Sequence, residues 1–264
     1  MIYVTGDCHG DFHRFTKKQR NKLPFQLTES DYVVVCGDFG LLWAEDETFG
    51  YNLKWLSRLP FKILWVQGNH ENYHMIAKYP LEEWNGGKVR HIVKDKVILL
   101  ERGQVFTIEG KTFFTFGGAS SHDISGGILD RNSPTYLQDY KRVSRSGQPF
   151  RVLNISWWRE ELPTKEELEE GRMNLEQMGY HIDYVITHCA SNRIQDALER
   201  YHMGIGFNTG WYKQDILTNF FEELEDRLQY KKWFCGHYHE DFHIDDKHTI
   251  LYYKIAALEE EVVE

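Results

Sequence analysis

No stretch of the 264 residues contains the run of about eighteen apolar side chains that a membrane-spanning helix needs, and residues 1–7, MIYVTGD, lack the basic and apolar regions of a signal peptide. Both absences predict a cytoplasmic protein with no membrane partner. Basic charge is also short. Against 40 Asp and Glu stand 31 Lys and Arg, a formal net charge of −9, so the surface as a whole repels long nucleic acids and anionic lipid. The four cysteines, Cys8, Cys36, Cys189 and Cys235, are never paired as C-x-x-C, which excludes the usual zinc-ribbon and thioredoxin motifs. No fixed-period repeat, low-complexity tract or linker divides the chain, which predicts one domain over residues 1–264.

What is present is a large apolar complement, 41% hydrophobic and 15% aromatic, arranged in short runs. Residues 2–4, 32–36, 62–66, 182–186 and 233–235 are β-branched or aromatic and of strand length, and each leads within a residue or two into glycine or threonine and a polar group. Residues 11–23 and 46–59 have helical character, so the early chain alternates strand and helix. Residues 97–119 read as consecutive strands with a Glu109-Gly110 turn, a hairpin that implies a second sheet. The fold class expected is α/β, a two-sheet β-sandwich flanked by helices. Residues 120–163 lack clear periodicity and read as an insertion; within it Arg131, Lys141, Arg142, Arg145 and Arg151 outweigh Asp130 and Asp139, a local anion-attracting patch. Thr164 and Glu167 have capping-box spacing and open an acidic helix, read as a solvated charged face.

The polar residues that end the strands carry the chemistry. Asp7-x-His9 sets two metal-competent side chains at i and i+2, where strand alternation points both to one side. Gly37-Asp38 offers a carboxylate able to bridge two cations about 3.5–4 Å apart. Gly68-Asn69-His70-Glu71 supplies a neutral carbonyl ligand, and alternation turns His70 away from it. His188 follows a further strand, and Gly236-His237-x-His239 repeats the i, i+2 spacing with imidazoles. Each cysteine adjoins one of these motifs; small buried residues at strand ends explain them better than thiolate ligands. Trp157 and Trp158 are read as packing the insertion onto the core, with stacking on an aromatic group the alternative.

The ordered set D-x-H, G-D, G-N-H, T-H and G-H-x-H, from Asp7 to His239, resembles the calcineurin-like metallophosphoesterase superfamily. The resemblance implies two divalent metal ions, Mn²⁺ first with Fe or Zn²⁺ as alternatives. Asp7, His9, Asp38 and His239 would hold one ion, and Asp38, Asn69, His188 and His237 the other. It also implies hydrolysis of a phosphodiester or phosphomonoester by a metal-bridged hydroxide, with Asp38 and His70 as the catalytic residues and His70 contacting the phosphate or protonating the leaving oxygen. A small molecule or nucleotide is the expected substrate. The protein Ser/Thr phosphatase branch has G-D-x-x-D-R-G where this chain has Gly37-Asp38-Phe39-Gly40-Leu41-Leu42, so that branch is discounted and the group orienting His70 stays open, with Glu71 and Glu45 as candidates. The segments Gly117 to Asp123 and Trp157-Trp158-x-x-Glu161 are similar to a bacterial and phage subgroup. Arg131 is singled out as the phosphate clamp.

Two other readings are weighed. A catalytically silent metal-binding scaffold of the same fold would be expected to have lost ligands, and all seven positions and His70 are present. His237-x-His239-x-Asp241 partly mimics the H-x-H-x-D-H string of metallo-β-lactamase-like enzymes, but Phe242 stands where its last histidine belongs.

Overall fold

The structure, a computed structural model, describes residues 1–207, 210 and 212–259. Its first six strands, β1 (Ile2–Thr5), β2 (Tyr32–Val35), β3 (Lys62–Trp65), β4 (Glu82–Trp84), β5 (Gly87–Val93) and β6 (Val97–Leu100), lie in one sheet. The chain then crosses over: β7 (Gln104–Ile108) and β8 (Lys111–Phe116) form the expected hairpin and begin a second sheet. Both turn residues, Glu109 and Gly110, have positive φ, the conformation a tight two-residue hairpin demands. Strands β9 (Ile128–Leu129) and β10 (Arg151–Val152) pair with each other alone. The second sheet is completed by β11 (Tyr184–Thr187), β12 (Lys232–Cys235), β13 (Phe242–His243) and β14 (His248–Ile250), and β15 (Ala256–Ala257) returns to the edge of the first.

The order is β15-β1-β2-β3-β6-β5-β4 in one sheet and β13-β14-β12-β11-β8-β7 in the other, with β1-β2-β3-β6 and β14-β12-β11-β8 parallel. Alternation within each strand builds three apolar layers. Val34 and Leu64 face inward against Phe113, Tyr184, Ile186 and Phe234 of the opposite sheet. Val33, Val35, Ile63 and Trp65 face outward onto Phe15, Phe39, Leu56 and Phe61. On the far side Phe114, Phe116, Val185 and Trp233 pack against Leu168, Leu175, Leu198, Leu217, Phe220 and Phe221. Fully burying each such side chain contributes about 1.5–3 kcal/mol. The architecture is therefore the two-sheet α/β sandwich with flanking helices.

The helices are α1 (Lys17–Arg20), α2 (Glu47–Leu56), α3 (Tyr73–Ile76), α4 (Tyr136–Ser146), α5 (Lys165–Gln177), α6 (Asn192–Gly204) and α7 (Ile216–Arg227). Asp46 caps α2 by accepting from Phe49 N, and Thr164 with Glu167 forms the complete capping box of α5. The acidic α5 is not solvated all round, because Leu168, Gly171 and Leu175 are buried beneath it. Residues 11–23 do not form one helix: a 3-10 turn at His13–Phe15 is followed by Thr16 in extended backbone and then only the short α1. Tertiary packing overrides propensity there, since Phe12 lies on Phe39, Phe15 lies on Phe61, and Arg14 is drawn inside. Residues 120–163 hold more regular structure than their composition indicates, with α4 closed by Gly147 at φ 69°. No described helix is long and apolar enough to cross a membrane.

Candidate metal centre

All the singled-out motifs lie just beyond the carboxyl ends of parallel strands: Asp7 and His9 after β1, Asp38 after β2, Asn69 and His70 after β3, His188 after β11, His237 and His239 after β12. Because β1-β2-β3 are neighbours in one sheet and β11-β12 in the other, these loops converge at one rim of the sandwich. Backbone bonds cross between them. Cys8 N and His9 N both donate to the Asp38 carbonyl, at 3.0 and 2.7 Å, and Gly236 N donates to the His188 carbonyl.

Among the described residues three groups of donor atoms result, each within 4.8 Å: Asp7, His9 and His239; Asp7, Asp38 and His188; His9, Asp38 and His70. His239 Nε2 is 3.2 Å from Asp7 Oδ2 and 2.9 Å from His9 Nε2, and His188 Nε2 is 3.4 Å from Asp38 Oδ1. Donors bound to one cation at 2.0–2.2 Å lie roughly 3.0–3.5 Å from one another, so these spacings suit a metal. Asn69 joins through Oδ1, 3.1 Å from His188 Nε2. His237 is buried with its ring against His188, centroids 4.9 Å apart, but belongs to none of the three groups. His70 does not turn away as strand alternation predicts. Strand β3 ends at Trp65, and past that point the loop aims both Asn69 and His70 at the rim. The cysteines are buried and free and form no part of these groups, and burial raises their thiols.

The glycine before each motif has a steric reason. A Cβ on Gly68 would stand 2.0 Å from Asp38 Oδ1, and one on Gly236 would stand 2.2 Å from Asp7 Oδ1. Gly68→Ala and Gly236→Ala are accordingly expected to displace a carboxylate and lower metal-dependent turnover by about 100-fold, the effect of an ångström of misplacement. Gly50→Ala in α2, where a Cβ meets nothing, should leave turnover unchanged. Four of the seven candidate ligands also sit on strained backbone: His9, Asp38, His237 and His239 have φ between 45 and 71°. Such residues cost about 1–3 kcal/mol each and persist where surrounding bonds over-determine them.

Against this geometry the comparison with known families is decisive. The sequence model of the calcineurin-like phosphoesterases matches residues 1–241. The chain belongs to the calcineurin-like phosphoesterase family. It is a metal-dependent phosphoesterase, and the family implies divalent metal ions. Among solved structures it is similar to a phosphopantetheinyl hydrolase from Mycobacterium tuberculosis, at 14% identity and a TM-score of 0.41, over 95% of this chain and 87% of that one. No curated protein sequence matches it.

The charge distribution of the phosphoesterase rim fits a cation. Among the described residues Asp7 Oδ2 is buried without a well-aligned hydrogen bond, although His239 Nε2 lies 3.2 Å away. Burial disfavours charge on His188, yet Asp38 and Asp7 outweigh it and hold the imidazole up at about 9; reciprocally, His188 keeps both fully buried carboxylates below the ordinary carboxylate range. Its Nδ1 donates to the Cys36 carbonyl, which leaves Nε2 to face Asp38 and Asn69. Positive charge is thus stabilised at this point of the rim.

The neighbourhood of His70 corrects the sequence reading. Glu71 is buried elsewhere and accepts from Phe39 N, and Glu45 is exposed and paired with Lys78, so neither orients the imidazole. Arg151 lies against it instead: its Nη2 is 3.0 Å from both ring nitrogens while Nε and Nη2 hold Asp123 at 2.6–2.9 Å. Arg131 is exposed ahead of α4. Arg151 was legible only as one of five basic residues, and Asp123 only as the end of the Gly117 to Asp123 segment. Burial lowers His70 to about 4, so it is neutral at pH 7. Trp157 and Trp158 pack inward, as expected: Trp158 is buried and Trp157 Nε1 donates to Glu161, whose carboxyl burial pushes up to about 7.

Proposed function

We propose that this phosphoesterase is dinuclear and hydrolyses a small-molecule or nucleotide phosphate ester in the cytoplasm, residues 1–264 acting as one domain whose insertion at 120–163 reaches over the site. The observation that carries the reading is the pair of fully buried carboxylates, Asp7 and Asp38, each shared between two of the three donor groups. Asp7, His9, Asp38 and His239 would hold one ion and Asp38, Asn69, His188 and His237 the other, with Mn²⁺ as the first candidate because mixed N and O donors suit it. When bound, the ions supply Lewis-acid charge and an acidified water.

The chain's own residues hold and orient the ester. Arg151, braced by Asp123, is placed to approach a phosphoryl oxygen, in the role assigned on sequence to Arg131. Neutral His70 meets Arg151 Nη2 at 3.0 Å from both ring nitrogens, so imidazole and guanidinium stand side by side as a pair able to hold the phosphate. This favours phosphate contact over proton donation to the leaving group. His70→Asn is expected to lower turnover by roughly 10²–10³-fold, equally for alkyl and aryl esters. A loss for alkyl esters exceeding that for aryl esters by more than tenfold would restore the acid role.

The test of the reading as a whole is to strip the protein with chelator, restore Mn²⁺, count bound ions and compare an aryl phosphodiester with an aryl phosphomonoester. Two ions per chain and metal-restored turnover are expected, and the diester-to-monoester ratio identifies the ester class. One ion per chain at saturating Mn²⁺ would overturn the dinuclear assignment.

A further inference from the structure

The two segments that follow β8 and α4 in the chain meet at the metal centre through hydrogen bonds that the proposed chemistry does not use. Asn69 Nδ2 donates to Ser121 Oγ at 3.3 Å. Ser121 Oγ donates to Glu161 Oε2 at 2.7 Å. Glu161 Oε1 accepts from Ser121 N at 3.1 Å and from Trp157 Nε1 at 2.6 Å. Ser121 and Glu161 are 5% and 3% exposed, so water does not compete for these bonds.

We infer that Glu161 and Ser121 form a directional relay that fixes the side-chain amide of Asn69, making both of them positioning residues for the metal centre. The inference rests on the reading of Asn69 as a ligand. The direction follows from which groups can only donate. With the carboxyl ionised, a backbone N–H and an indole N–H hold Oε1 as an acceptor, and Oε2 accepts from the serine hydroxyl. The hydroxyl oxygen then has only lone pairs to offer Asn69. The amide answers with its NH₂ and is obliged to turn its carbonyl oxygen toward His188 and the site, the only end of an amide that can ligate a cation. Partners of this kind behind a ligand set its orientation and affinity.

Glu161→Gln keeps the shape and reverses the relay. Two N–H donors still require an oxygen at the Oε1 position, so the new NH₂ occupies the Oε2 position and donates to Ser121 Oγ. The serine proton is then released toward Asn69 and favours the flipped amide, with nitrogen facing the site. Ser121→Ala merely frees the amide, and the cation itself can select the productive orientation. The expected order is therefore distinctive. Titrated with Mn²⁺ alone after chelator treatment, above pH 7 where Glu161 is ionised, Glu161→Gln should bind one of two ions about 10–100-fold more weakly and the other as before. Ser121→Ala should lose only a few-fold, and the double variant Glu161→Gln/Ser121→Ala should recover to the Ser121→Ala level, because no hydroxyl remains to transmit the reversal.

Asn69→Ala separates the two layers of argument. If it leaves both Mn²⁺ affinities unchanged, the ligand reading of Asn69 is wrong. If it weakens one ion while Glu161→Gln binds as wild type does, or if the double variant is weaker than Glu161→Gln, the relay is wrong. Retention of the second ion's affinity and of the thermal midpoint shows that each variant is folded.

Discussion

Asp38→Asn is expected to reduce metal-restored turnover by on the order of 10³-fold or more while leaving the fold intact. Asp38 is 1% exposed, and its carboxylate touches three parts of the rim: Oδ1 accepts from His70 N at 2.7 Å and lies 3.4 Å from His188 Nε2, and Oδ2 lies 3.8 Å from His9 Nε2. Asparagine keeps the volume, the Oδ1 acceptor and tolerance of φ 45°, so the backbone path is preserved. What it loses is a unit of negative charge and one of the two oxygens that serve adjoining donor groups. Lewis-acid stabilisation amounts to several kcal/mol, and every 1.36 kcal/mol is tenfold in rate, which sets the expected scale. Steady-state turnover at saturating Mn²⁺, together with a thermal melt, tests it. A variant retaining a tenth of wild-type turnover would remove Asp38 from the centre of the chemistry.

The second large effect concerns stability of the metal-free protein against pH. His188 is held at about 9 in the fold against 6.5 in the unfolded chain, because Asp38 and Asp7 outweigh the burial that opposes its charge. A raised folded value means stabilisation that is complete below pH 6.5 and is lost as pH rises through 9. The shift corresponds to about 3 kcal/mol, or roughly 5–10 °C in thermal midpoint for a chain of this size. The metal-free protein should therefore melt progressively lower between pH 7 and 10. If Nε2 is the metal ligand proposed above, Mn²⁺ should suppress this titration and flatten the decline. His188→Gln should flatten it in the metal-free protein too. The same slope with and without Mn²⁺ would mean that His188 does not face the ions. On the acid side the depressed Asp7 and Asp38 act oppositely, with stability lost as pH falls below about 4.

The strands were legible in the sequence because β-branched and aromatic runs of four or five residues end abruptly in Gly or Thr and a polar group, as at Tyr32–Val35 and Lys62–Trp65. The α2 and α5 helices were legible from their caps, since a cap is a local bond between near neighbours. Residues 11–23 misled because Phe12, Arg14 and Phe15 are fixed by partners distant in sequence, among them Phe39, Phe61 and the Tyr252 carbonyl, which no local window contains. The inward position of Arg151, beside an exposed Arg131, was not legible for the same reason. Both are arginines in one basic segment, and only the pairing of β9 with β10 decides which of them is carried inward to Asp123 and His70.

The sequence by itself determined the chemical inventory: two sheets' worth of strands, the order of Asp, Asn and His at their ends, and the glycines that leave room for them. These are local properties, set by side-chain type and spacing of one to three residues. Only the tertiary structure decided how that inventory is shared. It placed Asp7 and Asp38 against one buried His188, brought His70 to the rim instead of away from it, and linked Asn69 to Ser121 and Glu161. Hydrogen bonds and charge coupling act over a few ångströms between residues 40 to 230 positions apart, and that proximity exists only once the two sheets have packed.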